Sequence, residues 1–437
     1  MPDNARNAAL YALERCRRGG AWSPAAIDGA AEKFALDRRD TAFVSRLTLC
    51  ALENFALCDH YIGAYCTLPV KRLEPAVLDI LRLGVCQILF MDRVPDSAAV
   101  DTGVQLCRDA GYARAAGLVN AVLRRVAENK ADLPAVPGAG TAKYLAVRYS
   151  HPEWLAQRLI KEHGYGFTES FFAADNSPAE LCVQTNTLQC TAAELAGHLT
   201  DAGISCRAHP WAEDALLVEN PGNVEKLPGF AEGLFYVQDP AAAFTAATLG
   251  LQSGMRVLDV CAAPGGKSFA AAIRMRNKGE IVARDIHEKK LGLISRGAKR
   301  LGIDIISTES RDARESGGGD FDAVIVDAPC SGMGVIGKKP EIRGKSEKEI
   351  AGLPEIQLAI LKSASECVRP GGALLYSTCT VLTQENEAVA AAFLAENGDF
   401  AAEGFQVRDK RPEGMYTFWP QTDETDGFFI CLMRRKN

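Results

Sequence analysis

Two cysteines stand directly after apolar runs, where a buried strand would end. Cys330 lies in Asp327-Ala328-Pro329-Cys330-Ser331-Gly332, which follows Ala323-Val324-Ile325-Val326 with no polar residue between. Cys379 lies in Leu374-Leu375-Tyr376-Ser377-Thr378-Cys379-Thr380, again directly after an apolar strand. A buried cysteine is ordinarily a small hydrophobe. Two of them at strand ends read differently, because the parallel strands of an α/β sheet deliver their carboxyl ends to one crevice. Both thiols are therefore expected at the same edge, where a thiolate can act as a nucleophile.

A glycine-bearing loop, Cys261-Ala262-Ala263-Pro264-Gly265-Gly266-Lys267-Ser268, follows Asp259. Its glycines would let the backbone approach a ligand closely, and the helix after it would direct free amides there. Two ligands compete. Gly266-Lys267-Ser268 matches the end of a phosphate-binding loop, and Ala323 to Asp327 resembles a magnesium-holding acidic strand, but Cys261 occupies the position of that motif's first glycine. Strand-end acids favour a nucleoside cofactor instead: Asp285 suits ribose hydroxyls, Asp312 suits an adenine amine, and Asp259 and Asp327 end two further strands. S-adenosylmethionine is thus preferred to ATP. A soft thiolate beside a sulfonium methyl donor points to methylation of a poorly nucleophilic carbon. Carbon C5 of cytosine becomes nucleophilic only after a thiolate adds to C6, and the reaction also needs an acid near N3 and a way to remove the C5 proton. One Cys, one Asp and a second Cys meet those three needs.

The elements that position these groups follow from periodicity. From Asn4 to about Lys130 apolar residues recur at three- and four-residue spacing, as in Val77, Ile80, Leu81, Val85 and Ile88, which predicts an all-helical domain. Pro95, Asp96 and Ser97 start one of its helices and Gly111 stops it. Proline and glycine between Leu133 and Thr141 mark a boundary. A small α+β module is expected next, with Pro152 in the first turn of a helix and strand-like pieces in "ELCVQTNTL" and "DALLVEN". After Phe235, "MRVLDV", "EIVARD", "IDIIST", "DAVIVD" and "GALLYST" alternate with helical stretches that include "QENEAVAAAFLAENG". That alternation predicts a doubly wound, mostly parallel sheet, which "GFFICLMRR" closes.

With 437 residues the chain exceeds one ordinary core, and 47% hydrophobic with 24% charged residues is a soluble globular composition. No signal peptide is expected, and Asp79, Arg82 and Gln87 interrupt the most apolar stretch, so the expected location is the cytoplasm, with no membrane contact. Fourteen cysteines without a CxxC, and six isolated histidines, predict reduced thiols and no metal site. The net charge of -6 argues against unspecific nucleic-acid coating, though not against a local basic groove.

Together "LDVCAAPGGK", "VDAPCSGMG", "YSTCT" followed by "QENE", and "TDGFF" resemble the RNA cytosine-C5 methyltransferases. "LRLGVCQILFMDRVPDSAAVD" and "AGLVNAVLRR" resemble the NusB-like domain fused to the bacterial 16S ribosomal RNA methyltransferase B family, and "YLAVRYSHPEWL" resembles the start of its middle module. The resemblance covers nearly the whole chain. It implies a class I, Rossmann-like methyltransferase domain with a seven-stranded, mostly parallel sheet at 236–437, behind a NusB-like RNA-binding domain at 1–135 and an α+β RNA-binding module at 142–235. It implies Cys379 as the nucleophile, Cys330 as an aid to product release, and Asp327 on the base with Lys267 near it. The cofactor would be held by Cys261, Ala262, Ala263, Pro264, Gly265, Gly266, Lys267, Asp285, Asp312 and Asp327. One cytosine of small-subunit ribosomal RNA is the implied substrate, and a monomer is expected.

Three positions depart from the family pattern: Gln184 stands where an arginine is common, Glu53 where a basic residue is, and "WPQTDETDGFF" lacks a histidine after its Trp-Pro. Lys338, Lys339, Arg343 and Lys345, just after the Cys330 loop, are expected to contact phosphate, whereas Arg124 and Arg125 are expected in solvent. The target cytosine should be unpaired or flipped out. Rival functions are a catalytically inert RNA-binding ribosome-assembly factor and a P-loop-like NTPase.

Overall fold

The computed structural model describes residues 4–178, 180–219, 221–315 and 317–437. The chain divides into two compact units, Met1–Ser177 with Ile336–Glu347, and Pro178–Val335 with Lys348–Asn437.

The first unit is built from helices. Pro75–Phe90 runs through its core, and Val77, Ile80, Leu81, Val85 and Ile88 are all buried, as their spacing requires. The polar residues that interrupt this helix are buried and paired. Arg82 holds Asp59 at 2.6 Å and Asp79 at 3.0 Å, Arg17 also reaches Asp79, and Gln87 accepts from Arg6 Nε at 2.7 Å. Loss of one partner would strand an opposite charge away from water. Helices Ala142–Arg148, Glu153–His163 and Tyr165–Asp175 belong to this unit as well. By contact these helices, which open the segment expected as an α+β module at 142–235, group with the first unit: Leu155, Leu159, Phe171 and Phe172 are buried among helices, and no strand precedes Leu181 among the described residues.

Residues 336–347 leave the second unit and complete the first. Arg343 is 2% exposed. Its Nη1 lies 2.8 Å from the carbonyl oxygens of Glu53 and Tyr149 and 3.3 Å from that of Ser150, while Nη2 donates to Asn176 Oδ1 at 2.6 Å. Burial lowers its pKa to about 10, so it stays charged at neutral pH. Glu341 accepts from Ser23 N and Oγ at 3.1 and 3.0 Å. Arg343 is thus an internal tie, which corrects its expected contact with phosphate: a run of basic residues does not tell a solvated arginine from one whose donors meet buried carbonyls.

The second unit holds two sheets. Strands β1 (Leu181–Thr185), β2 (Cys206–Ala208), β3 (Ala215–Val218) and β4 (Phe235–Val237) form a four-stranded antiparallel sheet in the order β2-β3-β1-β4. Strands β5 (Arg256–Asp259), β6 (Glu280–Asp285), β7 (Ile306–Ser310), β8 (Phe321–Asp327), β9 (Val368–Thr378), β10 (Phe400–Ala402), β11 (Met415–Phe418) and β12 (Phe428–Arg435) form the large sheet, in the order β10-β12-β9-β8-β5-β6-β7 with β11 on β12. The five strands from β9 to β7 are parallel neighbours, and β12 enters antiparallel to β9. Helices alternate with the parallel strands, giving the class I methyltransferase arrangement. The sheet has eight strands rather than seven because β11 pairs with β12. Strand β7 starts three residues beyond the "IDIIST" expectation: Gly302 ends the preceding helix left-handed, and the buried Ile303 bonds back to Ala298 O at 2.9 Å.

Arg343→Ala would leave three carbonyls of the first unit without their charged donor. It is expected to cost about 3 kcal/mol of stability, read as a lower denaturation midpoint, with Arg343→Lys recovering part of the loss.

Candidate active site

The parallel register brings the strand-end groups to one edge. Asp327 is the β9 neighbour of Ser377, whose Oγ donates to Asp327 Oδ1 at 3.1 Å. The two chains stay zipped beyond the strands: Ala328 N bonds Ser377 O at 3.0 Å, and Gly334 N bonds Cys379 O at 3.1 Å. Three residues past Asp327 and two past Ser377, Cys330 Sγ and Cys379 Sγ come within 3.1 Å. Both thiols are half-buried and free of disulfides. The hydrogen bond with Cys379, then burial, then the negative charge Cys379, Glu385 and Asp327 can carry, push the Cys330 thiol well above its ordinary range. Two adjacent acids this close cannot both ionise freely.

Residues that the sequence reading did not single out brace this pair. Glu385, fully buried, accepts from Ser331 N at 2.8 Å and from Gln357 Nε2 at 2.9 Å. Asn386 donates to Thr380 O at 2.9 Å and accepts from Thr378 Oγ1 at 2.5 Å, and Ser331 Oγ lies 2.8 Å from Thr380 Oγ1. Glu385 and Asn386 thus hold both thiol loops by their backbones. They sit in a turn before helix Glu387–Glu396 rather than in the helix, and the signal that could have found them is "QENE" itself: two amide or acid side chains just ahead of an apolar helix. Close approach fixes Gly334, where a Cβ would stand 1.9 Å from Gly427 O.

Lys267 is buried in the first turn of helix Gly266–Arg274. Its Nζ lies 2.6 Å from Asp327 Oδ2 and 5.0 Å from the Phe428 ring centre. Both Asp327 oxygens are therefore engaged, one by Lys267 and one by Ser377. Ser268 donates to Asp259 Oδ2 at 2.7 Å, and both side chains are fully buried. Burial pushes the Asp259 carboxyl up to about 7, partly offset by the Ser268 bond. Ser268 is fully buried against Asp259, away from any nucleotide-bound magnesium, which weakens the phosphate-loop reading.

The loop between β5 and this helix is held by β6. Ala262 N donates to Arg284 O at 2.8 Å and Ala263 N to Asp285 Oδ2 at 3.2 Å, and the Ala263–Pro264 peptide is cis. Gly265 has φ +115°, and a Cβ there would lie 2.5 Å from the Phe269 ring, so only glycine fits. Cys261 borders the same loop; burial and then Asp259 push its thiol up. Asp285 Oδ1 accepts from His287 N at 2.9 Å. Beside it Ile286 is 56% exposed, an apolar surface next to a carboxylate at the cofactor edge. Asp312 is capped by Arg314, whose Nε lies 3.0 Å from Oδ1 and whose Nη2 lies 2.5 Å from Oδ2; these bonds hold its carboxyl below the usual range. An adenine amine would share that carboxylate with Arg314. Asp285, Asp312, the glycine loop and the exposed Ile286 are the groups here that could hold an adenosyl group.

The remaining basic positions, Lys338, Lys339 and Lys345, lie in the first unit. Gln184, where an arginine was expected, is 5% exposed and donates to Gln238 O at 3.1 Å.

Family patterns match three stretches: "NusB family" residues 3–128, "Methyltr_RsmF/B-like, ferredoxin-like domain" residues 151–225, and "16S rRNA methyltransferase RsmB/F" residues 246–434. The chain is 33% identical over 445 residues to the probable ribosomal RNA small subunit methyltransferase B of Bacillus subtilis (strain 168), covering 99% of this chain and 98% of that relative. The chain belongs to this methyltransferase family. A methyltransferase homolog protein from Pyrococcus horikoshii, solved by crystallography, shares 27% identity and a TM-score of 0.59 over 67% of this chain and 97% of its own. NSun6 from Pyrococcus horikoshii, solved with SFG, has the same fold at 21% identity, with a TM-score of 0.58 over 69% of this chain and 98% of its own. The thiol pair, its brace and the cofactor loop all fall within the stretch matched by the methyltransferase pattern.

Glu385→Ala would release the Ser331 amide and let the thiols part. A misplacement of about 1 Å is expected to lower kcat for methyl transfer by roughly 100-fold, with cofactor affinity measured by calorimetry unchanged. Glu385→Gln, which keeps an acceptor for Ser331 N, is expected to recover most of the rate.

Proposed function

We propose that this protein methylates C5 of an unpaired cytosine in small-subunit ribosomal RNA, with S-adenosylmethionine as donor and a covalent adduct to Cys379. The observation that carries this reading is the 3.1 Å approach of two thiols at the edge where Lys267 and Asp327 meet. The relatives' names support ribosomal RNA as the substrate. The bound SFG of NSun6, an analogue of S-adenosylmethionine, supports the donor. When bound, the donor supplies a sulfonium methyl group and departs as the thioether.

The residues divide the work as follows. Cys330 keeps its proton and donates it as a hydrogen bond to Cys379, whose sulfur carries the charge and adds to C6. As the S–C6 bond forms, the C5=C6 electrons move to C5 and a proton is needed at N3. Lys267 supplies that proton, and Asp327 orients the base by accepting from its amine. Asp285, Asp312 and the loop from Cys261 to Lys267 hold the donor so that its methyl carbon faces C5. Once Cys379 is alkylated, the largest cause of the upward push on Cys330 is gone. Its thiol then releases a proton to solvent, and the thiolate takes the proton from C5. The C5=C6 bond reforms, the S–C6 bond breaks, N3 returns its proton, and Cys379 leaves as a thiolate. Cys330 is thus suited to the second half of the reaction and Cys379 to the first. The inert-factor alternative offers no reason for Glu385 and Asn386 to hold both thiols in register.

Cys379→Ala is expected to abolish methyl transfer to unmodified small-subunit ribosomal RNA, and Cys330→Ala to accumulate a protein–RNA adduct that survives denaturing electrophoresis. Full activity in Cys379→Ala would show that the nucleophile is assigned wrongly.

A further inference from the structure

We propose that Trp22, with Lys339 beside it, is a stacking platform for one unpaired base of the RNA strand, a site that rests on the RNA substrate proposed above. Trp22 directly precedes helix Ser23–Lys33 and is 51% exposed. Among the described residues it is the one aromatic side chain in the group of large exposed hydrophobics. Lys339 Nζ lies 4.9 Å from its ring centre. This pairing is built by the fold rather than by sequence proximity. Glu341 grips both the amide and the hydroxyl of Ser23, and Arg343 anchors the same short segment, so Lys339 is delivered to the indole from 317 residues along the chain. Lys338, next to it, is exposed.

The chemistry of the spot favours a nucleotide over a protein segment. An apolar peptide could cover the indole, but it would strip water from the Lys339 ammonium. A nucleotide brings both complements on one unit: a flat ring for the indole and a phosphate for Lys339. Stacking is indifferent to base identity, because every base has a π-face. The platform therefore anchors a strand, and sequence is read elsewhere. Ile336, the first residue of the segment, follows Cys330 by only six residues. The grip on RNA and the thiol loop are consecutive pieces of one chain.

The test uses the full-length protein with unmodified small-subunit ribosomal RNA, measuring Kd by filter binding and methyl transfer at C5 on the same preparations. Trp22→Ala is expected to weaken binding roughly 5- to 100-fold, the range for loss of one base stacked on an aromatic side chain, to raise KM alike, and to leave kcat at saturating RNA unchanged. Trp22→Phe is expected to retain most of the affinity. Lys339→Ala is expected to reduce the slope of log Kd against log salt by about 0.7, the value for one phosphate contact on a single strand. A Trp22→Ala protein with wild-type Kd and KM would overturn the platform while leaving the proposed reaction standing. A fall in kcat at unchanged Kd would also overturn it, since a misfolded variant and not a lost anchor would then be the cause. Wild-type protein that binds this RNA but transfers no methyl to C5 would overturn the proposed reaction, and the Trp22 binding data would still decide the platform.

Discussion

Everything at the candidate site depends on two sulfur atoms being held 3.1 Å apart at the carboxyl ends of adjacent strands. Such an approach is not a default of the fold. It needs Asp327 and Ser377 in register on β8 and β9, backbone bonds that continue past the strand ends, and a glycine at 334 where a side chain would strike Gly427. It also needs the buried Glu385, whose Oε2 accepts from the Ser331 amide and the Gln357 amide. Burying a carboxylate is costly unless hydrogen bonds replace water. Here one of those bonds comes from Ser331 in the Cys330 loop and the other from Gln357 in helix Leu353–Ser365, so the acid that is satisfied there also holds the Cys330 loop.

The same closeness couples the two sulfurs: side by side in a partly buried place they cannot both carry charge, and the hydrogen bond with Cys379 is the largest cause of the upward push on Cys330. The neighbouring Lys267–Asp327 ion pair lies at 2.6 Å at the same edge.

Much of this was legible in the sequence because it was periodic or local. Strand–helix alternation foretold the parallel sheet, and strand-end positions foretold that Asp259, Asp285, Asp327, Cys330 and Cys379 share an edge. What stayed hidden depended on distance or on burial. Glu385 meets Ser331 across 54 residues of chain, and no local pattern announces that bond. Arg343 sits in a lysine-rich run yet is 2% exposed, because its partners lie in helices nearly two hundred or more residues away. Strands β10 and β11, of three and four residues, are too short to show alternation and pair with the two ends of the β12 edge that β9 leaves open. Gln184 looked like a lost RNA contact, whereas the structure buries it against Gln238.

Mapping the trapped adduct on RNA that carries 5-fluorocytidine tests the assignment of the sulfurs most directly. Fluorine at C5 cannot leave as a proton, so the release step stops and the S–C6 bond persists. After nuclease and protease digestion, mass spectrometry is predicted to find the fluoronucleotide on the peptide that contains Cys379, with Cys330 unmodified. The modified nucleotide on Cys330, with Cys379 free, would contradict the account.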